Sequence, residues 1–204
     1  MKNVVLITAS PKINEQSVSK EFLEMAGDQI NSDLFSKSFI DVRKSFLTHK
    51  LTEDFETLAK ADVMIISFPL YYFCMPGMLT RFLVDYHNYC TTSGNVKKPV
   101  KVYAIVNCGF PEPEINLEAV RVIKSFSQHL NAEFRFGVLI GGGPMMIAAK
   151  EAPFMKKTVH KTTEIAMNIL NCLSLTLLPV ITPIIRPKYV HGKSFLILLH
   201  SAWR

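Results

Sequence analysis

Asn3-Val4-Val5-Leu6-Ile7-Thr8-Ala9-Ser10-Pro11-Lys12-Ile13-Asn14-Glu15-Gln16-Ser17 is the stretch on which the fold turns. Its first six residues are an apolar run of strand length with little polar alternation, the pattern of a strand covered on both faces. A polar loop follows. Ser17 suits a helix cap, because its hydroxyl can accept from the orphan amides of a first turn. Phe22, Met25, Ala26 and Ile30 then recur at helical spacing. A buried strand, a polar turn and an amphipathic helix make the opening half of a βαβ unit.

The pattern repeats outward from there. Leu34 to Ile40 reads as a second strand, and Leu51 to Ala61 as a polar-faced helix opened by Thr52. Val63 to Phe68 is a third strand, and Pro76 suits the first turn of a helix that runs to about Tyr89. Val100 to Val106 is a fourth strand. Leu117, Val120, Ile123, Phe126 and Leu130 mark one face of a helix over 116–130. Phe134 to Ile140 is a fifth strand, ended by Gly141-Gly142-Gly143, and a long helix is expected from about Pro153 to Leu173. Strands alternating with helices predict a doubly wound α/β fold with a five-stranded parallel sheet in the order 2-1-3-4-5. In that order the chain reverses between strands one and three, so a crevice opens beside the loops that follow them.

The 204 residues suffice for one such domain. Residues 1–177 are read as that domain and 178–204 as a Pro-punctuated extension packed on it or on a partner subunit. Hydrophobic residues make up 49% and charged residues 20%, a globular balance, and the net charge is +6. The lysines and arginines are scattered and form no stripe with interleaved aromatics, so no nucleic-acid partner is expected. The charge favours anionic small molecules instead. The apolar segment 169–185 is broken by Asn171, Pro179 and Pro183, which argues against a membrane span. The four cysteines (74, 90, 108 and 172) form no CxxC pair and the histidines show no ligand spacing, so no metal is expected. Reduced thiols and the lack of a visible leader point to a cytoplasmic setting.

Three post-strand loops carry the chemistry. Ser10, Lys12, Gln16, Ser17 and Val18 bring hydroxyls, a cation and a helix amino-terminus, which suits a phosphate. Pro69, Leu70, Tyr71, Tyr72 and Phe73, followed by Cys74-Met75-Pro76, bring aromatic and aliphatic faces for a flat ring. Asn107, Cys108, Gly109 and Phe110, before Pro111-Glu112, bring a tight turn with backbone amides, and Gly109 allows a close approach. Taken alone, each loop also reads blandly: a capped βα turn, a core or interface aromatic run, small packing cysteines.

Ser10-Pro11-Lys12 with Asn14 and Gln16-Ser17 resembles the phosphate loop of the flavodoxin-like NAD(P)H-dependent FMN reductases and quinone reductases. Pro69-Leu70-Tyr71-Tyr72 with Met75-Pro76 is similar to the stretch those enzymes lay along the isoalloxazine ring. Asn107-Cys108-Gly109-Phe110-Pro111-Glu112 resembles a turn found after their fourth strand. Two positions depart from the pattern: Lys12 stands where arginine is usual, which forfeits bidentate geometry, and Glu15 stands where glycine is frequent. A related subgroup places an iron–sulfur cysteine cluster before the third strand, where this chain has no cysteine.

The resemblance implies an FMN-dependent oxidoreductase that passes hydride from NAD(P)H to a small acceptor: a quinone, an azo or nitro compound, or free flavin. It implies a homodimer with the site near the subunit boundary, and Tyr86 and Tyr89 suit either that interface or simple core packing. It names no catalytic acid or base. Two other readings stay open, a one-electron carrier of flavodoxin type and a flavodoxin-like binding domain whose FMN affinity Glu15 has weakened.

Overall fold

The computed structural model describes residues 1–13, 17–94, 99–152, 184–185 and 197–201. Five parallel strands, β1 (Lys2–Thr8), β2 (Phe35–Asp41), β3 (Val63–Pro69), β4 (Lys101–Asn107) and β5 (Glu133–Ile140), lie in the order β2-β1-β3-β4-β5. This is the doubly wound, flavodoxin-like sheet expected from the alternation. Past β5 the sheet gains two antiparallel strands, β7 (Ile197–Ser201) beside β5 and β6 (Ile184–Ile185) beside β7. The long helix expected at 153–173 and most of the extension lie outside the described residues.

The central strands are apolar throughout because both faces are covered. Successive side chains of one strand point to opposite faces. Val5 and Ile7 therefore join Ile66, Phe68, Val102, Ala104 and Val106 on one side. That side is covered by α3 (Leu51–Ala59), α4 (Gly77–Ser93) and α5 (Leu117–His129). Val4 and Leu6 join Ile65, Tyr103, Ile105, Phe136 and Val138 on the other, beneath α1 (Val18–Asp28) and α6 (Gly143–Ala148). Phe68 and Phe82 are fully buried, and truncating either to alanine costs about 3–5 kcal/mol. β2 is the parallel edge, and polar Ser36, Lys37 and Ser38 blunt it.

Several boundaries differ from the sequence reading. A six-residue helix, α2 (Val42–Leu47), follows β2, and Asp41 caps it by accepting from the Lys44 amide at 3.2 Å. Thr52 does not open α3; the helix starts one residue earlier and Lys50 holds the cap position without a side-chain bond. Pro76 precedes the first turn of α4 rather than sitting in it. A 3-10 turn over Pro113–Asn116 leads into α5. Tyr86 is buried against Phe55, with ring centroids 5.5 Å apart, which makes it a core residue rather than an interface residue.

The register aligns the carboxyl ends of the strands. Thr8 pairs with Asp41 on one side and Ser67 on the other, Pro69 pairs with Asn107, and Asn107 pairs with Ile140. The loops leaving β1, β3, β4 and β5 thus emerge side by side along one edge.

Candidate functional site

The loop after β1 is tied to its neighbour strand before it reaches the helix. The Ala9 amide donates to the Ser67 carbonyl at 3.1 Å, and the Ser67 hydroxyl donates to the Ser19 carbonyl at 2.7 Å. Those two bonds fix the first turn of α1 over β1 and β3. Ser17 caps that turn as expected, accepting from the Lys20 amide at 3.3 Å, and its oxygen lies 3.1 Å from the Ser19 hydroxyl. The Ser10 hydroxyl accepts from the Lys12 amide at 3.4 Å, so its own hydrogen is left to donate outward. Lys12 is exposed and Val18 half-buried. Gln16, with Asn14 and Glu15, lies outside the described residues.

Thr8, which opens the first loop, was not among the residues singled out for the phosphate. It is 2% exposed, and its hydroxyl has no hydrogen-bond partner among the described residues. Leaving such a group unpaired costs roughly 1–3 kcal/mol. Its signal was available: a hydroxyl on the last residue of an otherwise apolar strand.

The loop after β3 is a two-residue turn. Tyr71 and Cys74 exchange both backbone bonds, at 2.8 and 2.9 Å, and Tyr72 and Phe73 between them have φ of 46° and 62°. This is the pattern of a type I′ hairpin, which favours Asn-Gly. Two aromatic residues in left-handed conformations are strained by about 1–2 kcal/mol each. The strain holds the rings out of the core: Tyr72 is 98% exposed and Phe73 63%. Pro69 and Leu70 are half-buried, and the Leu70 amide donates to the Asn107 carbonyl at 2.8 Å, stitching this loop to the next.

The loop after β4 meets it. Phe110 stacks on Phe73 with centroids 6.4 Å apart and planes 15° apart. Asn107 is buried and its side-chain oxygen is unpartnered. A methyl group at Gly109 would meet nothing within 4 Å, so that glycine borders open space. Burial pushes the Cys108 thiol up from its ordinary range, with the Asn116 side chain partly opposing the shift. Asn116, read from the sequence only as a helix start, anchors the loop by donating to the carbonyls of Pro113 at 3.1 Å and Ile140 at 3.3 Å. Gly142 and Gly143 donate to the Phe110 and Cys108 carbonyls at 2.6 and 2.9 Å.

Not every loop amide is available to a ligand. Those of Leu70, Tyr71, Cys74 and Cys108 are spent on the bonds above and that of Phe110 on the Cys108 sulfur, whereas those of Tyr72, Phe73 and Gly109 have no backbone partner among the described residues. The aromatic pair and the free amides therefore belong to the same small area.

Beside the first loop lies a hollow of about 240 Å³, bordered by Thr8, Ser10, Lys12 and Ser17 and by side chains from α1 and the end of β2. Three carboxylates border it too: Glu21 is held by Lys150 Nζ at 3.0 Å, Glu24 by Lys20 Nζ at 3.5 Å, and Asp41 accepts from the Lys44 amide at 3.2 Å. The raised Lys150 ammonium owes its shift first to its hydrogen bond with Glu21. Among the described residues, no helix is long and apolar enough to cross a membrane.

No protein-family model matches the chain, and no curated protein sequence does. Solved structures do. An NAD(P)H:quinone oxidoreductase from Methanothermobacter marburgensis superposes with a TM-score of 0.62 at 14% identity, over 87% of this chain and 98% of that one. The general stress protein 14 of Treponema denticola, in complex with FMN, gives 0.62 at 17% identity, over 85% and 99%. An FMN-dependent NADH-azoreductase from Bacillus anthracis, also with FMN, gives 0.52 at 16% identity, over 83% and 99%. At these identities the likeness is one of fold.

Proposed function

We propose that this chain is an FMN-dependent oxidoreductase that takes reducing equivalents from NAD(P)H and delivers them to a small acceptor such as a quinone, an azo or nitro compound, or free flavin. The observation that carries the reading is the shared edge. The unpartnered Thr8 and Asn107 oxygens, the capped helix start at Ser17 and the Phe73–Phe110 stack all stand at the carboxyl ends of adjacent strands. In an open α/β sheet that edge is where ligands bind. The solved structures of the same fold include two with FMN and several reductases, which supports this cofactor over others.

The residues present fit the group. Ser10, Lys12 and Ser17 would hold the phosphate, with Thr8 supplying a hydroxyl and the helix start a favourable dipole; Gln16 and Val18 belong to the same proposed cradle. Pro69, Leu70, Tyr71, Tyr72 and Phe73 would line the ring, and Asn107, Cys108, Gly109 and Phe110 its polar edge. Bound FMN would supply two-electron transfer between nicotinamide and acceptor. The protein's share is position and electrostatics. The free amides of Tyr72, Phe73 and Gly109 offer donors toward negative charge, and the exposed aromatics would keep water from one ring face. No side chain is required as a proton donor.

Purified protein titrated with FMN should quench flavin fluorescence at one equivalent, and the complex should oxidise NAD(P)H with a quinone or azo dye present. A protein that leaves flavin fluorescence unchanged would end the reading. The homodimer belongs to the same proposal and is checked by light scattering of the FMN complex.

A further inference from the structure

The loop after β4 is clamped on both sides of one unspent peptide. Cys108 is tied through its amide to the Ile140 carbonyl at 3.0 Å, through its carbonyl to the Gly143 amide at 2.9 Å, and through its sulfur to Asn116 Nδ2 at 3.5 Å. Phe110 is tied through its amide to the Cys108 sulfur and through its carbonyl to the Gly142 amide at 2.6 Å. Gly109 stands between them. Its amide has no backbone partner among the described residues, and a Cβ there would meet nothing within 4 Å. The next stretch is packed tightly against the end of β5, since a Cβ at Gly141 would lie 2.3 Å from the Pro111 carbonyl oxygen.

Asn116 holds this clamp from inside. Its carboxamide is fully buried and joins three separate points, the Pro113 carbonyl at 3.1 Å, the Ile140 carbonyl at 3.3 Å and the Cys108 sulfur. The Ile140 carbonyl thus accepts from both the Asn116 side chain and the Cys108 amide. The Asn116 side-chain oxygen has no partner among the described residues, a cost that an apolar side chain of the same size would not carry. The residue therefore fixes the loop at some expense in stability.

We propose that Asn116 is a positioning residue for the flavin: it holds the Gly109 amide at the polar edge of the ring and thereby strengthens binding of the reduced, more negative flavin relative to the oxidised one. The inference rests on the FMN reading above and deepens it. A donor held in place beforehand needs no reorganisation when negative charge grows in front of it. A peptide flanked by two clamped residues cannot swing away. Removing Asn116 releases the Cys108 sulfur and Pro113 together.

Asn116→Leu keeps the side-chain volume and removes these hydrogen bonds, and Cys108→Ala removes the sulfur link alone. Leu58→Ala, a buried change at the end of α3 near the amino end of β3, is the control for destabilisation at the opposite edge of the sheet. FMN affinity is read by fluorescence titration and the midpoint potential of the bound flavin by spectroelectrochemistry. In Asn116→Leu, reduced FMN should lose about tenfold more affinity than oxidised FMN, which lowers the two-electron potential by about 30 mV. Cys108→Ala should shift it the same way by less, and Leu58→Ala should leave it unchanged. In the flavin-free protein, amide exchange across 107–112 should be faster in Asn116→Leu than in wild type. A wild-type potential in Asn116→Leu, or an equal shift in Leu58→Ala, would overturn the inference and leave FMN binding intact. If Asn116→Leu does not fold, an unchanged potential in Cys108→Ala overturns it instead. A wild type that takes no FMN ends the flavin reading and this inference with it, and faster loop exchange in Asn116→Leu then marks a structural role alone.

Discussion

Tyr72→Asn should stabilise the flavin-free protein, although it removes a large side chain. Tyr72 holds φ of 46° and is 98% exposed, so it forfeits backbone energy and gains almost nothing from packing. A left-handed non-glycine residue costs about 1–2 kcal/mol, and asparagine tolerates that region by bonding locally. Relief of about half the strain gives a gain of about 0.5–1 kcal/mol. For a chain of this size that raises the melting temperature by about 1–4 °C. Phe73→Gly is a different case. It relieves about 1–2 kcal/mol at φ 62°, but glycine gives back about 0.5–1 kcal/mol in unfolded-state entropy. Losing the stack on Phe110 removes about 0.5–1.5 kcal/mol more. The net is near zero.

Urea denaturation of the flavin-free proteins reads these differences directly, and FMN fluorescence titration reads the other side of the trade. If the turn is strained in order to present its rings, Phe73→Gly should weaken FMN about fivefold to tenfold while leaving stability unchanged. A Tyr72→Asn protein with a lower urea midpoint than wild type would refute the strain argument. Unchanged FMN affinity in Phe73→Gly would separate the turn from the flavin.

Ser17→Asp keeps a capping acceptor at the start of α1, so stability should stay within about 0.5 kcal/mol, while like-charge repulsion should weaken FMN by more than about tenfold; a stable variant with wild-type affinity would remove Ser17 from the phosphate cradle. Gly141→Ala places a methyl carbon 2.3 Å from the Pro111 carbonyl oxygen, a backbone atom that cannot step aside, and should destabilise by about 2–3 kcal/mol. Gly109→Ala meets nothing within 4 Å and should change stability little but weaken FMN if the ring edge approaches that backbone; thermal melts and titrations of the pair check both. Burial raises the Cys90 and Cys108 thiols, so folding favours their protonated forms. The stability they contribute is present below the ordinary thiol value of 9.0 and falls as pH rises above it, because the unfolded chain releases those protons first. The urea midpoint should therefore drop above pH 9 less steeply in Cys108→Ala than in wild type, and peptide-resolved labelling at pH 8 should modify half-exposed Cys74 well before Cys108.

How far the sequence spoke depended on the length scale of each feature. The five parallel strands were legible because burial on both faces demands continuous apolar runs such as Val63–Phe68, and α1 was legible from its Ser17 cap and its spacing. α2 was not, because six residues make less than two turns and show no period, while Asp41 reads equally well as a strand end. The loop residues quoted for the ring were found by their chemistry, yet nothing in Tyr72-Phe73 announces a type I′ turn, since both residues disfavour it. Asn116 sits eight residues beyond Cys108 in a stretch that reads as helix start, and only the folded chain brings its amide under the loop.

Departures from local rules are informative here because of where they fall. Among the described residues, four that are not glycine have positive φ. His49 and Asn131 directly follow the caps of α2 and α5, where a left-handed residue is the ordinary way to end a helix. Tyr72 and Phe73 follow no helix and use residue types that resist the conformation. Among the described residues, three buried side-chain oxygens lack partners: Thr8 and Asn107 close β1 and β4, and Asn116 lies beneath the loop that β4 opens into. Among the described residues, aromatic left-handed backbone and unmet buried hydrogen bonding therefore gather at the carboxyl edge of the sheet. A chain under no demand but stability would be expected to scatter such costs or lose them. Their confinement to the one edge where an open α/β sheet can receive a ligand is the physical reason to place the chemistry there, independently of any likeness to other proteins.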